Sequence, residues 1–160
     1  MKYKSVYNQW KNEPENYWQN LAKDIIWDDF PKTILKKKNE YLYEWFPDGV
    51  LNTCYNAVDK NIIEGRGDQV AIYYDSPITN TKDKITYNEL RDKVSKFAGG
   101  LKKYNLVKGD RVIIYMPMIP EAIIAMLAVA RLGAVHSVVF GGFASNELAV
   151  RIDDCKPKFI

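Results

Sequence analysis

The residues best placed to do chemistry are Val139-Phe140-Gly141-Gly142-Phe143. An apolar run ends there in paired glycines, and Ser145 and Asn146 follow at what patterning reads as a helix start. In open α/β sheets, ligands bind outside the carboxyl ends of the strands. Paired glycines let backbone approach a ligand closely and can adopt positive φ. The free N–H groups of the following helix, near Ser145 and Asn146, could hold an anion. A tight strand-to-helix turn fits the same pattern equally well, so spacing alone leaves both readings open.

Other signals carry less. His136 is the only histidine and falls inside a strand pattern, with no partner that would make it a base and no co-ligands for a metal. Arg66-Gly67-Asp68 reads as a polar turn after a helix. Lys36-Lys37-Lys38 sits among acidic neighbours and reads as a solvated loop. Cys54 and Cys155 are far apart and lack C-x-x-C spacing, so they read as reduced, semi-buried thiols. No G-x-G-x-x-G, P-loop or H-E-x-x-H occurs. These 160 residues therefore offer no catalytic side chain and no metal-ligand set of their own.

The elements that must position the glycine turn lie just before it. Residues 112–116 form a continuous apolar run ended by Pro117, the pattern of a strand covered on both faces. Pro120 opens a helix to Leu132 that is apolar nearly all round, with Glu121 and Arg131 at the ends the dipole favours. Gly133 stops it, and 135–139 form a second buried strand. Two parallel strands joined by a right-handed helical crossover result. Residues 145–153 read as the next helix, and Lys158-Phe159-Ile160 as the start of a third strand. An apolar strand that has only begun, beside neighbours ready to pair with it, is expected of the front part of a larger protein.

Upstream, 53–63 is expected to be a helix behind Asn52, followed by strands at 70–74 and 84–86. Thr86-x-x-Glu89 then spells a capping box that opens an amphipathic helix with Leu90, Val94, Ala98 and Leu101 on its apolar face. The first sixty residues hold all four tryptophans, Trp10, Trp18, Trp27 and Trp45, in a Pro-broken arm. Pro14 suits the first turn of a helix capped by Asn12. So aromatic an arm is expected to clamp onto the body that follows, because sixty loop-rich residues bury too little for a core of their own.

Charge supports this division: residues 1–110 hold 34 of the 43 charged side chains, and 111–150 hold four. A net charge of +3, with Lys and Arg interspersed among Asp and Glu, argues against nucleic acid as a partner. The two longest apolar stretches, 112–120 and 122–130, are too short to span a bilayer. The first thirty residues contain five acidic groups, no Arg and no apolar signal-like run, so a cytoplasmic protein without a membrane partner is expected.

Beyond these patterns, the segment Gly109-Asp110-Arg111-Val112 through Tyr115-Met116-Pro117-Met118-Ile119-Pro120-Glu121-Ala122 resembles the acetyl-/propionyl-CoA synthetases, AMP-forming members of the adenylate-forming superfamily. So does Ala130-Arg131-Leu132-Gly133-Ala134 through Val139-Phe140-Gly141-Gly142-Phe143. The arm, with Asn12-Glu13-Pro14 and Tyr17-Trp18, is similar to that family's amino-terminal domain. Gly142-Phe143-Ala144-Ser145 and residues 151–157 look closer to the propionyl-CoA branch. The resemblance implies an α/β fold: the aromatic arm, then the first βαβ units of a large parallel-sheet adenylate-forming domain, truncated. Residues 1–60 would be the acetyl-CoA synthetase-type domain and 61–160 the incomplete start of the AMP-binding domain.

The implied reaction joins a small carboxylate, propionate or acetate, to CoA at the expense of ATP, with Mg²⁺. The family's phosphate loop, acyl pocket and catalytic lysine lie later in the chain, so this portion alone is expected to be inactive. Phe140, Gly141 and Gly142 match the turn that lines the CoA passage in relatives. The alternative is a genuine short, non-catalytic module that pairs with a full-length synthetase.

Overall fold

The computed structural model describes residues 2–160. They divide into two compact units, one ending at Asn52 and the other spanning Thr53–Ile160.

In the first unit, α1 (Tyr3–Asn12) and α2 (Pro14–Ala22) are separated by Glu13, whose extended-side backbone (φ −135°, ψ 62°) breaks the helix. Pro14 takes the first turn of α2, as the sequence predicts, because the missing N–H would find no helical partner there. Asn12 instead closes α1, a helix the patterning missed. A hairpin follows, β1 (Leu35–Lys37) against antiparallel β2 (Tyr43–Trp45), with Leu35 opposite Trp45. The Asn39 side chain accepts the Tyr41 and Leu42 N–H groups at 3.0 and 2.9 Å and shapes the loop between them. Lys36 and Lys37, expected in a loop, are exposed strand residues. Three tryptophans pack among themselves and with Phe46: Trp18 on Trp45 and Trp27 on Phe46, each 5.5 Å between ring centroids. With buried Ala22, Pro31 and Ile34 they give this unit a small core of its own.

The second unit opens with a helical segment that contains two π-helical stretches, Tyr55–Asp59 and Ile62–Arg66. An ordinary α-helix over 53–63 is predicted; the widened turns put Val58 in the core while its neighbour Asp59 reaches Arg131. Gly65, at φ +83°, kinks the backbone inside the second stretch. The antiparallel pair β3 (Val70–Ser76) and β4 (Thr81–Thr86) leads into α3 (Tyr87–Lys103). There the capping box forms in full: Glu89 N–H donates to Thr86 Oγ1, and Thr86 N–H donates to the Glu89 carboxylate at 2.8 Å. The carboxyl of Glu89 is held below its usual range chiefly by that Thr86 backbone N–H.

The parallel pair is β5 (Arg111–Met116) and β6 (Val135–Phe140), joined through α4 (Pro120–Arg131) and in register from Arg111↔Val135 to Met116↔Phe140. Val112 and Ile114 share a core with Ala125, Ala128 and Val129 of α4 and with Leu90, Val94 and Ala98 of α3. Arg111, Ile113 and Tyr115 alternate onto the opposite face of β5. There α5 (Ser145–Cys155) is fastened at both ends. The Arg111 guanidinium donates to the Cys155 and Lys156 carbonyls at 2.9 and 3.0 Å, and the Tyr115 hydroxyl donates to the Phe143 carbonyl at 2.7 Å.

β6 departs from expectation: Val135 and Val138 are about half exposed, where burial on both faces is predicted. It is an edge strand, and among the described residues only β5 lies beside it. The expected third strand is a single parallel bridge from Phe159 to Val112, fixed by Ile113 N–H to Phe159 O at 2.9 Å and Lys158 N–H to Arg111 O at 2.7 Å. Because β6 occupies one edge of β5, Phe159 takes the other. Lys158 Nζ donates to the Asp110 carboxylate at 2.9 Å and anchors this start.

Candidate functional site

The glycine turn lies where the pattern puts it, between the carboxyl end of β6 and α5. Phe143 N–H donates to Phe140 O at 3.0 Å and closes a four-residue turn over 140–143. Phe140, Gly141 and Gly142 are all exposed. Left-handed φ is one reason to expect glycine here, but neither residue adopts it. The reason is close approach instead. A Cβ on Gly141 would stand 3.1 Å from the Met116 carbonyl carbon and oxygen and 3.2 Å from Pro117 N, all backbone atoms. One on Gly142 would come within 2.6 Å of the Phe140 ring. Two strand ends are thus pressed together at Gly141, while Gly142 leaves room for an aromatic ring.

That ring belongs to a small cluster. Phe140 and Phe143 meet edge to face at 5.8 Å, and the Arg151 guanidinium, from the second turn of α5, stacks over Phe143 at 4.8 Å. Arg151 is also fixed to the Glu147 carbonyl at 2.8 Å and carboxylate at 3.1 Å. On its other side, Phe140 lines a groove of about 410 Å³ together with Tyr74, Pro117, Met118, Ile123 and Met126. The turn therefore offers exposed peptide groups beside an apolar wall. Such a surface accepts an extended chain that carries amides and methylenes.

The other residues singled out by the sequence are not drawn to this turn. Ser145 and Asn146 do begin α5, but Ala144 is its N-cap and makes no side-chain cap, and Glu147 supplies the acidic group of the first turn. His136 is exposed on β6 opposite Val112. Cys54 is fully buried, and burial pushes its thiol pKa up; Cys155 is half-buried and also free. Gly67 and Asp68 of the Arg-Gly-Asp triplet are tied to Asn88 at the start of α3. Among the described residues no group of three or more His, Cys, Asp or Glu side chains could hold a metal ion.

Two features escaped the sequence reading. Tyr115 was absorbed into an apolar strand, although its alternation with Arg111 and Ile113 marks the face that meets the next helix. Asp59 and Arg131 form a half-buried ion pair at 2.7 Å across 72 residues of chain, for which no local pattern exists.

Comparison with known proteins agrees with this architecture. Residues 60–160 match the AMP-binding enzyme family, and residues 3–57 match the acetyl-coenzyme A synthetase N-terminus. Acyl-CoA synthetase short-chain family member 3, mitochondrial, from Bos taurus is 51% identical over 99% of this chain and 23% of its own length. An acetyl-coenzyme A synthetase from Streptomyces avermitilis is 45% identical over 97% of this chain and 24% of its own. Acetoacetyl-CoA synthetase from Streptomyces lividans superposes with a TM-score of 0.87 and 26% identity, covering 98% of this chain and 24% of that one. The chain thus spans about a quarter of the length of the curated relatives it matches. With a family model matching residues 60–160, more than half of its length, the chain belongs to the AMP-binding enzyme family.

Proposed function

We propose that these residues are the amino-terminal part of an AMP-forming short-chain acyl-CoA synthetase acting on propionate or acetate. One observation carries this reading: the acetyl-coenzyme A synthetase N-terminus and the AMP-binding family match back to back, in that order, on one chain. We accordingly assign 1–60 to the amino-terminal domain and 61–160 to the start of the AMP-binding domain. The propionyl-CoA branch is favoured over the acetyl one by residues 142–145 and 151–157.

A carboxylate is a poor electrophile, because its charge is delocalised and oxide is a hopeless leaving group. Attack of a carboxylate oxygen on the α-phosphate of ATP expels pyrophosphate and gives an acyl-adenylate. Attack of the CoA thiol on the acyl carbon then expels AMP. Mg²⁺ would enter with ATP to neutralise phosphate charge. In this scheme Phe140, Gly141 and Gly142 border the passage of the CoA pantetheine arm. Exposed peptide groups at the glycines meet its amides, and the Phe140 ring meets its methylenes. Side chains of this chain supply position here, not proton transfer, and the portion alone is inactive.

The test compares propionate and acetate as substrates of the complete synthetase, reading AMP and acyl-CoA formation, with these 160 residues alone as a second sample. Propionate preferred in the complete enzyme, and no carboxylate-dependent pyrophosphate exchange by the 160 residues, are the expected results. Failure of both acids to yield AMP overturns the reading. Among the described residues no helix is long and apolar enough to cross a membrane. We propose a cytoplasmic location; cell fractionation of the complete enzyme checks this against the mitochondrial location that some relatives' names carry.

A further inference from the structure

The geometry points to Tyr115 as a positioning residue for CoA, acting through the glycine turn; this rests on the reading of Phe140, Gly141 and Gly142 as the border of the CoA passage. Tyr115 lies on β5, one register step before the strand's end, and its ring stands on the face that carries α5. Its hydroxyl donates to the Phe143 carbonyl at 2.7 Å, an ordinary distance for a well-formed O–H···O bond. Phe143 is the closing residue of the 140–143 turn and holds the Phe140 ring edge to face. Both ring and turn are exposed, so burial contributes little to holding either in place.

The constraints on Phe143 come from three directions: the Tyr115 hydroxyl on its carbonyl, its own N–H on Phe140, and the Arg151 guanidinium over its ring. The first ties Phe143 across the chain to β5, the second ties it to the end of β6, and the third moves with α5. Loss of that bond frees the turn to shift relative to β5, while β5 and β6 stay paired. Arg111 provides the internal comparison. It lies four residues earlier on the same face and secures the opposite end of α5 through the Cys155 and Lys156 carbonyls. It supports the same helix without touching the turn.

The experiment uses the complete synthetase and three variants, Tyr115→Phe, Arg111→Met and Gly142→Leu, each assayed for KM of CoA, for carboxylate-dependent pyrophosphate exchange and for Tm. Tyr115→Phe keeps the ring and removes the hydroxyl. It is expected to raise KM for CoA about fivefold, the factor that loss of one net neutral hydrogen bond gives, with pyrophosphate exchange within about twofold of the parent. Arg111→Met is expected to lower Tm at least as much and leave KM for CoA unchanged. Gly142→Leu, which drives a side chain into the Phe140 ring, is expected to raise KM for CoA as well. An unchanged KM in Tyr115→Phe together with a raised KM in Gly142→Leu overturns the positioning role and leaves the CoA reading standing. An unchanged KM in a stably folded Gly142→Leu overturns the CoA reading and the role of Tyr115 with it. Equal KM changes in Tyr115→Phe and Arg111→Met reduce Tyr115 to a structural residue and also overturn the proposal.

Discussion

Removing the carboxylate of Asp59 is expected to weaken the second unit more than any change at its surface. Arg131 Nη2 donates to Asp59 Oδ2 at 2.7 Å and Nη1 to Oδ1 at 3.4 Å, with the side chains 22% and 17% exposed. Breaking a fully buried pair from one side costs about 3–5 kcal/mol, because the remaining charge is left uncompensated. With about a fifth of each side chain open to water, solvent takes up part of that charge, and Asp59→Asn is expected to cost ~2–3 kcal/mol. The nearby Cys54 thiol offers no substitute anion: burial pushes its pKa up, against the opposing pull of Arg131. The double variant Asp59→Asn/Arg131→Met removes the positive charge as well, and should recover at least about 1 kcal/mol of the loss. Urea unfolding followed by circular dichroism measures both, through midpoints at unchanged slope. An Asp59→Asn loss under about 0.5 kcal/mol, or single losses that simply add in the double variant, refutes the assignment of a stabilising pair.

Three further outcomes follow from local geometry. Thr86→Ala should destabilise α3 by about 1 kcal/mol in thermal melts by removing the cap on the Glu89 N–H, and an unchanged melt would show the capping box to be idle. Gly141→Ala should cost ~1–3 kcal/mol by forcing apart the Met116 and Gly141 backbones, while Gly142→Ala needs only a turn of the exposed Phe140 ring; equal losses would contradict this contrast. The carboxyl of Asp110 is held below its ordinary range by the Val107 backbone N–H and then by Lys158. A depressed carboxyl adds stability that is fully present above its unfolded pKa, near ~4, and lost as pH falls through the folded value. Asp110→Asn should therefore flatten the acid limb of the stability curve; an identical acid limb in the variant refutes this.

Where the chain's own geometry is local, it was legible. Thr86 and Glu89 are three residues apart and cap each other; Pro120 opens α4; Gly133, at φ +70°, closes it. The parallel crossover follows from two apolar runs too far apart for a hairpin. The glycine turn was found for a partly different reason, since close approach and not left-handed φ explains both glycines. Illegible features depend on distant partners. The π-helical turns over 55–66 look like any amphipathic helix until Arg131 is placed beside Asp59. β6 reads as doubly covered because Val138 and Val139 are equally apolar, yet Val139 is 1% exposed and Val138 52%. The first unit hid its small core because Trp27, Phe46 and Trp45 are brought together by turns at Asn39 and Asp48 that no periodicity announces.

The strand order β6–β5–Phe159 puts the earliest-made strand in the middle. During synthesis, Arg111–Met116 emerges with both of its edges open, and its first partner comes only with Val135–Phe140. At about 5–20 residues per second, those two dozen residues take ~1–5 s to arrive. The intervening helix is itself apolar nearly all round, so nothing made in that interval can shield the waiting strand except α3, already complete upstream. The Thr86–Glu89 cap, which lets α3 form from local signals alone, thereby determines how well the waiting strand is shielded during that interval. A chain with a frayed α3 would pass through that window bare, and its yield of soluble protein would then track chaperone supply more closely than its final stability.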